Sequence, residues 1–293
     1  MGKSRSKGKG TSKTTGTTWS QRLRPPAAPV ELASYDTRAT PGFTGDKVAG
    51  RSALADIAPR LAELQEGLFA NGRSGGQRRL LLVVQGMDTS GKGGVMRHVV
   101  GQLDPQGVRI KAFKQPTPEE KRRGFLWRIR QALPAPGEVG VFDRSHYEDV
   151  LIVRVNGLSR PSVIERRYDL INEFEAELVE GGCDVIKVML HISADEQKAR
   201  LMARLENPNK HWKYNPGDVD ERTKWDEYQR AYEIALERCN TKVAPWHVIP
   251  ADRKWYRNIA VSNLLLERLE AMKLEWPVAD FDVKLEKKRL AAT

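Results

Sequence analysis

Cysteine is nearly absent from this 293-residue chain, which has only Cys183 and Cys239. Two cysteines make no disulfide framework, and no Cys/His spacing suits a zinc site. A reducing, cytoplasmic setting is the expectation. No stretch approaches the ~18 consecutive apolar residues that a membrane span needs, so no membrane partner is expected. The basic N-terminus has no apolar segment behind it and does not read as a secretory signal. The five histidines fall at no spacing for a metal site or a catalytic triad; His98, His191 and His247 are expected to be structural. A G-x-S-x-G nucleophile elbow is also missing.

Acidic residues are absent from positions 1–24, which carry seven basic ones: Lys3, Arg5, Lys7, Lys9, Lys13, Arg22 and Arg24. Subtracting those seven from the net charge of +11 leaves about +4 for the body. The imbalance therefore belongs mainly to a tail rich in Gly, Ser, Thr and Lys. Such a composition supplies no packed core, and disorder is expected over roughly the first 18 residues. Residues 25–50, rich in Pro, Gly and Thr, should wrap irregularly over the body.

What is present is alternation. Apolar residues at helical spacing predict a helix over 51–71, ended by Asn71-Gly72 and Gly75-Gly76. The continuous run Leu80-Leu81-Leu82-Val83-Val84 suits a strand covered on both faces. A helix should follow the Gly-rich loop behind it. Further strands are expected at 108–113, 139–142, 184–192 and 246–249. Helices are expected at 117–131, 162–180, 194–205, 219–238 and 253–272, with a polar loop at 207–218. Strand–helix alternation of this kind predicts one α/β domain over 51–275, a parallel sheet with helices on both faces. Residues 276–293 form a C-terminal extension.

Gly86 to Lys92 satisfies G-x-x-x-x-G-K between a strand and a helix, the context of a phosphate-binding loop. Gly86 and Gly91 permit backbone angles that a Cβ forbids, so the N–H groups of Met87, Asp88, Thr89, Ser90 and their neighbours can converge on an anion. The following helix adds its positive end there, and Lys92 brings a full charge to phosphate oxygens. Gly93, followed by Gly94, stands where such loops carry the Ser or Thr that ligates Mg²⁺. Phosphates cannot be drawn together without a divalent ion, and Mg²⁺ prefers carboxylates, waters and phosphate oxygens. Asp88 and Asp143 are the candidate ligands; Asp143 could instead cap a helix or pair with an arginine.

Arg144 should project near the phosphates, either stabilising transferred charge or pairing with Asp143 or Glu148. Lys114 ends the second strand and has the same topological case. Arg122, in the Lys121-Arg122-Arg123 run, is a candidate for substrate contact against a solvated face. Arg204 and Lys210 are candidates within a basic lid at about 204–220 that would exclude water. Trp212, Trp225 and Tyr228 are either core residues or base-stacking ones. An acceptor that is itself an anionic phosphate needs no general base, so positioning and charge neutralisation should carry the catalysis.

Gly86-Met87-Asp88-Thr89-Ser90-Gly91-Lys92-Gly93-Gly94 resembles the G-x-D-x-x-G-K-G-G loop of the polyphosphate kinase 2 family. Val141-Phe142-Asp143-Arg144-Ser145-His146-Tyr147-Glu148 is similar to that family's second motif, and Ala251-Asp252-Arg253-Lys254-Trp255-Tyr256 to its closing segment. The resemblance implies a thymidylate-kinase-like three-layer P-loop fold with a helical lid and a homo-oligomer, dimer or tetramer. It implies Mg²⁺-dependent transfer, with Mn²⁺ the alternative ion, between inorganic polyphosphate and purine nucleotides of the AMP, ADP and GDP class. By motif position Asp88 and Asp143 take the metal, Lys92 the phosphates and Arg144 the transition state or chain. Lys114 and Arg204 resemble polyphosphate contacts. His146-Tyr147-Glu148-Asp149 resembles the branch accepting both AMP and ADP.

Two other readings stay open on the sequence. One keeps the fold with ATP as donor to a nucleotide or small molecule. The other is a basic nucleic-acid-binding protein with a vestigial loop, against which the near-neutral body argues; no specific nucleic acid is expected.

Overall fold

In a computed structural model, residues 16–293 are described. The chain runs α1 (Trp19–Leu23), α2 (Lys47–Arg73), β1 (Arg79–Gln85), α3 (Lys92–His98), β2 (Val108–Ala112), α4 (Pro118–Arg122), α5 (Trp127–Arg130) and β3 (Val139–Asp143). It continues with α6 (Ile152–Val155), α7 (Pro161–Glu180), β4 (Cys183–His191), α8 (Ala194–Leu205), α9 (Gly217–Arg222), α10 (Trp225–Arg238), β5 (Trp246–Pro250), α11 (Lys254–Ala271) and α12 (Val283–Ala291).

The five strands form one parallel sheet in the order β2-β3-β1-β4-β5. Alternate residues of β1 serve opposite faces, as the strand period requires. Leu80, Leu82 and Val84 pack with α2, α3 and α11 residues such as Leu61, Val95 and Leu264. Leu81 and Val83 pack with Ile171 and Phe174 of α7 and Ala231 of α10. Helices on both faces explain why the strand reads as unbroken apolar sequence. The chain leaves β1 towards β2 on one side and leaves β3 towards β4 on the other. The crevice of the sheet therefore opens between the C-terminal ends of β1 and β3, where open α/β sheets place ligands.

Four expectations need adjusting. Of the basic tail assigned to 1–24, residues 1–15 lie outside the described residues, but 19–23 are helical. Thr18 and Gln21 form a reciprocal capping box, and Ser20 N donates to the Glu267 carboxylate at 3.0 Å, a long-range anchor invisible in local composition. The helix expected from 51 begins at 47, where the Asp46 carboxylate accepts from Val48 N and Ala49 N. The helix expected over 117–131 divides into α4 and α5, because Arg123 is extended and Gly124 follows. The polar loop at 207–218 contains a 3-10 turn, Pro208–Lys213, and the start of α9, which is separated from α10 at Lys224.

Both cysteines are buried, free thiols; burial pushes Cys183 up to about 11 and Cys239 up to about 12, which leaves them unreactive.

Behind the end of β3 lies a fully buried ion pair. Lys187 Nζ donates to Glu175 Oε2 at 2.6 Å, to Tyr147 Oη at 2.7 Å and to the Cys239 carbonyl at 2.7 Å. Tyr147 Oη donates to Glu175 Oε1 at 2.9 Å, and His146 Nε2 lies 3.3 Å from the same oxygen. This network pins the turn His146–Asp149 that follows Asp143 and Arg144. Removing one partner strands a buried charge. Lys187→Met should therefore cost about 3–5 kcal/mol in denaturant unfolding. Lys187→Met with Glu175→Leu should recover much of that loss; a double variant no better than the single would refute the pairing argument.

Candidate active site

The loop after β1 is shaped by backbone angles that side chains resist. Gly86 has φ +147° and Gly91 φ +112°. A Cβ on Gly86 would lie 2.6 Å from Ser90 Oγ and 2.7 Å from the Leu190 carbonyl oxygen. Thr89 is left-handed without being glycine, at φ +61°, a conformation that surrounding contacts must hold. Arg200 of α8 does so, donating from Nη1 to the carbonyls of Thr89 and Ser90, each at 2.9 Å. Gln197 Nε2 holds the Asp88 carbonyl at 3.1 Å, and Gly86 N donates to Tyr232 Oη at 3.1 Å. The N–H groups of Asp88, Thr89, Gly91, Lys92 and Gly93 find no acceptor among the described residues, as an anion cradle requires. Lys92 Nζ folds over the loop, 2.7 Å from the Gly86 carbonyl and 3.2 Å from that of Met87. Burial lowers its pKa, while the charges of Asp88, Asp143 and Glu148 pull the other way. Ser90 is fully buried below the cradle.

β3 brings the second half of the site. Val84 pairs with Asp143 in register, and Arg144 N donates to the Val84 carbonyl at 3.1 Å. Arg144 is left-handed, φ +64°, which turns its side chain across to the loop. Its Nη2 meets Asp88 Oδ1 at 2.7 Å, so the arginine pairs with Asp88 rather than with Asp143 or Glu148. Burial would raise the Asp88 pKa, yet Lys92 and Arg144 outweigh it and hold the carboxyl below its ordinary value. The Asp143 carboxylate has no hydrogen-bond or ion-pair partner among the described residues, and its charge acts on both Lys92 and Arg144. Glu148 was not among the sequence candidates. Burial pushes its carboxyl up, opposed by Arg144 and Lys92, and it lines the cavity beside Asp88. Its place five residues beyond Asp143, in the same motif, was the available signal.

The loop has a cavity on each side. One, of about 810 Å³, has Thr89, Gly91 and Gly94 on its wall and is lined by nine Lys or Arg residues against two acids, Glu196 and Asp252. Arg204 and Lys210 of the lid both line it. The other, of about 510 Å³, starts from Gly86, Met87 and Asp88 and takes in Arg144 and Lys114, so Lys114 lies across the loop from Arg204 and does not share one groove with it as the sequence pairing of the two implied. It mixes carboxylates with Phe113, Ile152, Tyr228 and Tyr232. Arg204 Nη1 donates to the Lys213 carbonyl at 2.8 Å and to Asp218 at 3.2 Å, which ties together a segment whose residues line both cavities.

Arg122 does not reach either cavity. It is exposed, and its Nε donates to the Pro118 carbonyl at 3.3 Å. The break after α4 leaves it on the outside and turns Arg128 inward instead. Arg128 is buried, holds the Lys114 carbonyl at 2.8 Å and covers the Phe113 ring at 5.4 Å. A continuous helix would have hidden that exchange. Trp225 packs at the core, Tyr228 is buried there while also lining the smaller cavity, and Trp212 is exposed.

No three or more His, Cys, Asp or Glu residues cluster as a metal cage among the described residues. The hard oxygens of Asp88 and Asp143 fit Mg²⁺, which binds through one or two carboxylates and completes its shell with water and phosphate. Gly93 leaves open space where a hydroxyl-bearing side chain would stand, with nothing within 4 Å of an added Cβ.

The family model for polyphosphate kinase 2 matches residues 44–277, which take in the loop, the Asp143–Glu148 segment and the lid. An AMP/ADP-polyphosphate phosphotransferase of Meiothermus ruber is 46% identical over 252 residues, covering 86% of this chain and 93% of that protein. An ADP-polyphosphate phosphotransferase of Rhodopseudomonas palustris is 36% identical, covering 85% and 88%. The crystal structure of polyphosphate kinase 2 from Arthrobacter aurescens TC1 superposes with a TM-score of 0.92 at 54% identity, covering 94% of this chain and 98% of that one.

The Asp88–Arg144 pair sets a titration with a definite sign. In Arg144→Met the Asp88 midpoint, followed by carboxyl ¹³C NMR, should move up, since burial is then opposed only by Lys92 and Arg204. A carboxyl held low in the folded state stabilises above its unfolded value and loses that contribution as pH falls through the folded one. The stability gap between wild type and Asp88→Asn should accordingly close only below about pH 4.

Proposed function

The chain belongs to the polyphosphate kinase 2 family, a premise from which we propose how its two cavities divide the substrates of phosphoryl transfer between inorganic polyphosphate and nucleotides. The observation that carries the reading is the contrast between the cavities on either side of one phosphate loop. Nine cations against two acids suit a chain with a negative charge on every unit, and that groove takes polyphosphate. The smaller cavity, with aromatic and apolar walls beside Asp88 and Arg144, takes the nucleotide. AMP and ADP are the acceptors, in keeping with the name of the Meiothermus ruber relative.

The loop amides and Lys92 hold the terminal phosphates of the chain. Arg144 reaches from the nucleotide side towards the group in transit, and Arg204 and Lys210 close the lid over the groove. A terminal phosphate oxygen of the acceptor forms the new P–O bond to the end of the chain. The bond from that phosphorus to its bridging oxygen breaks, and the shortened chain leaves with the electron pair. No proton has to be removed from the acceptor, so Glu148 and Asp143 need not act as bases. Asp88 and Asp143 would hold Mg²⁺, which supplies charge neutralisation between the two polyanions when bound. Protonation of the site carboxylates would weaken that hold. The assembly is read as a homo-oligomer acting in a reducing cytoplasm. No helix is long and apolar enough to cross a membrane among the described residues.

The test is nucleotide profiling with long-chain polyphosphate and Mg²⁺ as sole donor. AMP should yield ADP and ATP, and ADP should yield ATP. Lys92→Ala should lower kcat by about 10²-fold or more with an unchanged melting profile. Turnover that required ATP as donor and ignored polyphosphate would sink the assignment of the basic groove.

A further inference from the structure

Among the described residues, the buried and nearly buried cations have main-chain carbonyl or carboxylate partners, with the exception of Arg257. Lys92 holds loop carbonyls, Arg128 the Lys114 carbonyl, Lys187 a carboxylate, and Arg200 a carboxylate and four carbonyls. Arg257 of α11 is only 2% exposed. Its Nε and Nη2 share a single acceptor, Asn258 Oδ1, at 3.1 and 2.8 Å. Its Nη1 has no acceptor, and the guanidinium no carboxylate partner, among the described residues. Burial, followed by repulsion from Arg200, lowers its pKa to about 10. A guanidinium desolvated to this degree calls for an anion.

Its position indicates which one. Arg257 lines the basic groove together with Gly91 and Gly94. A Cβ on Gly91 would fall 1.8 Å from Arg257 Nη1, and one on Gly94 would fall 2.4 Å from Nη2. Gly94 is an ordinary helical residue with no positive φ, so its backbone does not demand glycine. A Cβ on Gly93 meets nothing within 4 Å. The two glycines after Lys92 therefore differ in kind: Gly93 lacks a hydroxyl, while Gly94 makes room for an arginine.

We propose that Arg257 is a phosphate-contacting residue of the donor groove, presenting its free Nη1 edge to a non-bridging oxygen of polyphosphate beside the loop, and that Gly94 is small in order to admit it. The proposal rests on the assignment of polyphosphate to this groove. Arg257 adds a fixed fork of donors to a cradle whose usual hydroxyl is missing. Because the charge is desolvated before the chain arrives, little water has to be stripped from it on binding.

The full-length enzyme tests this with long-chain polyphosphate in kinetics and tripolyphosphate in thermal shift. Arg257→Met should raise KM for polyphosphate about tenfold or more and leave KM for the nucleotide within about twofold. Its melting temperature without ligand should be unchanged or higher, since a poorly compensated buried charge is gone. The rise that tripolyphosphate gives the wild type should largely vanish. Gly94→Ala should act in the same direction, and should add little to Arg257→Met. If Arg257→Met does not fold, Arg257→Lys, which keeps the charge and loses the fork, should show the same split in KM. A wild type that responds to tripolyphosphate beside an Arg257→Met that responds equally would overturn the role of Arg257 alone. So would a variant that melts lower with polyphosphate affinity intact. A wild type indifferent to polyphosphate would instead overturn the assignment of the groove.

Discussion

Two polyanions cannot be brought within bonding distance unless fixed positive charge already waits where they meet. That constraint organises the molecule. The cations cannot simply be gathered, because gathered cations repel and a buried one is costly unless partnered. The Asp88–Arg144 pair is one solution: it keeps a guanidinium at the crevice between β1 and β3 while holding a carboxylate ionised beside the loop. Lys92, folded onto the Gly86 and Met87 carbonyls, is another. Each cation is held by a partner within the protein.

The scaffold behind the crevice serves the same end. Strained backbone at Thr89 and Arg144 persists only where its surroundings over-determine it. Arg200 ties the loop to α8 and to the end of β5, and the buried Lys187–Glu175–Tyr147 network ties down the turn after Arg144. Because α8 leads into the lid, the residues that shape the loop and those that cover it belong to one connected set. Arg222 extends it, reaching from α9 to Gln197, which in turn holds the Asp88 carbonyl.

Much of this was legible in order along the chain. β1 and its loop are contiguous, so strand, glycines and lysine announce themselves together, and α8 falls on the expected residues. The reading failed where a distant partner decided the outcome. Nothing near Trp19 signals that Glu267 will anchor its helix, and nothing near Arg123 signals that the chain turns there to bury Arg128. Arg122 was among the sequence candidates and Arg128 was not, because composition does not distinguish the inside of a bend from its outside. Glu148 stood within the motif but acquired its character only from the desolvation around it.

The sequence by itself determined the phosphate cradle, the alternation that makes a parallel sheet, and the family, because each depends on residues close together in the chain. Only the tertiary structure decided that Arg144 pairs with Asp88, that the loop separates a cationic groove from a mixed pocket, and that Gly94 faces a buried arginine 163 positions later in the chain. Those outcomes depend on burial and charge summed over several elements, quantities that have no value until the sheet has closed its layers around them.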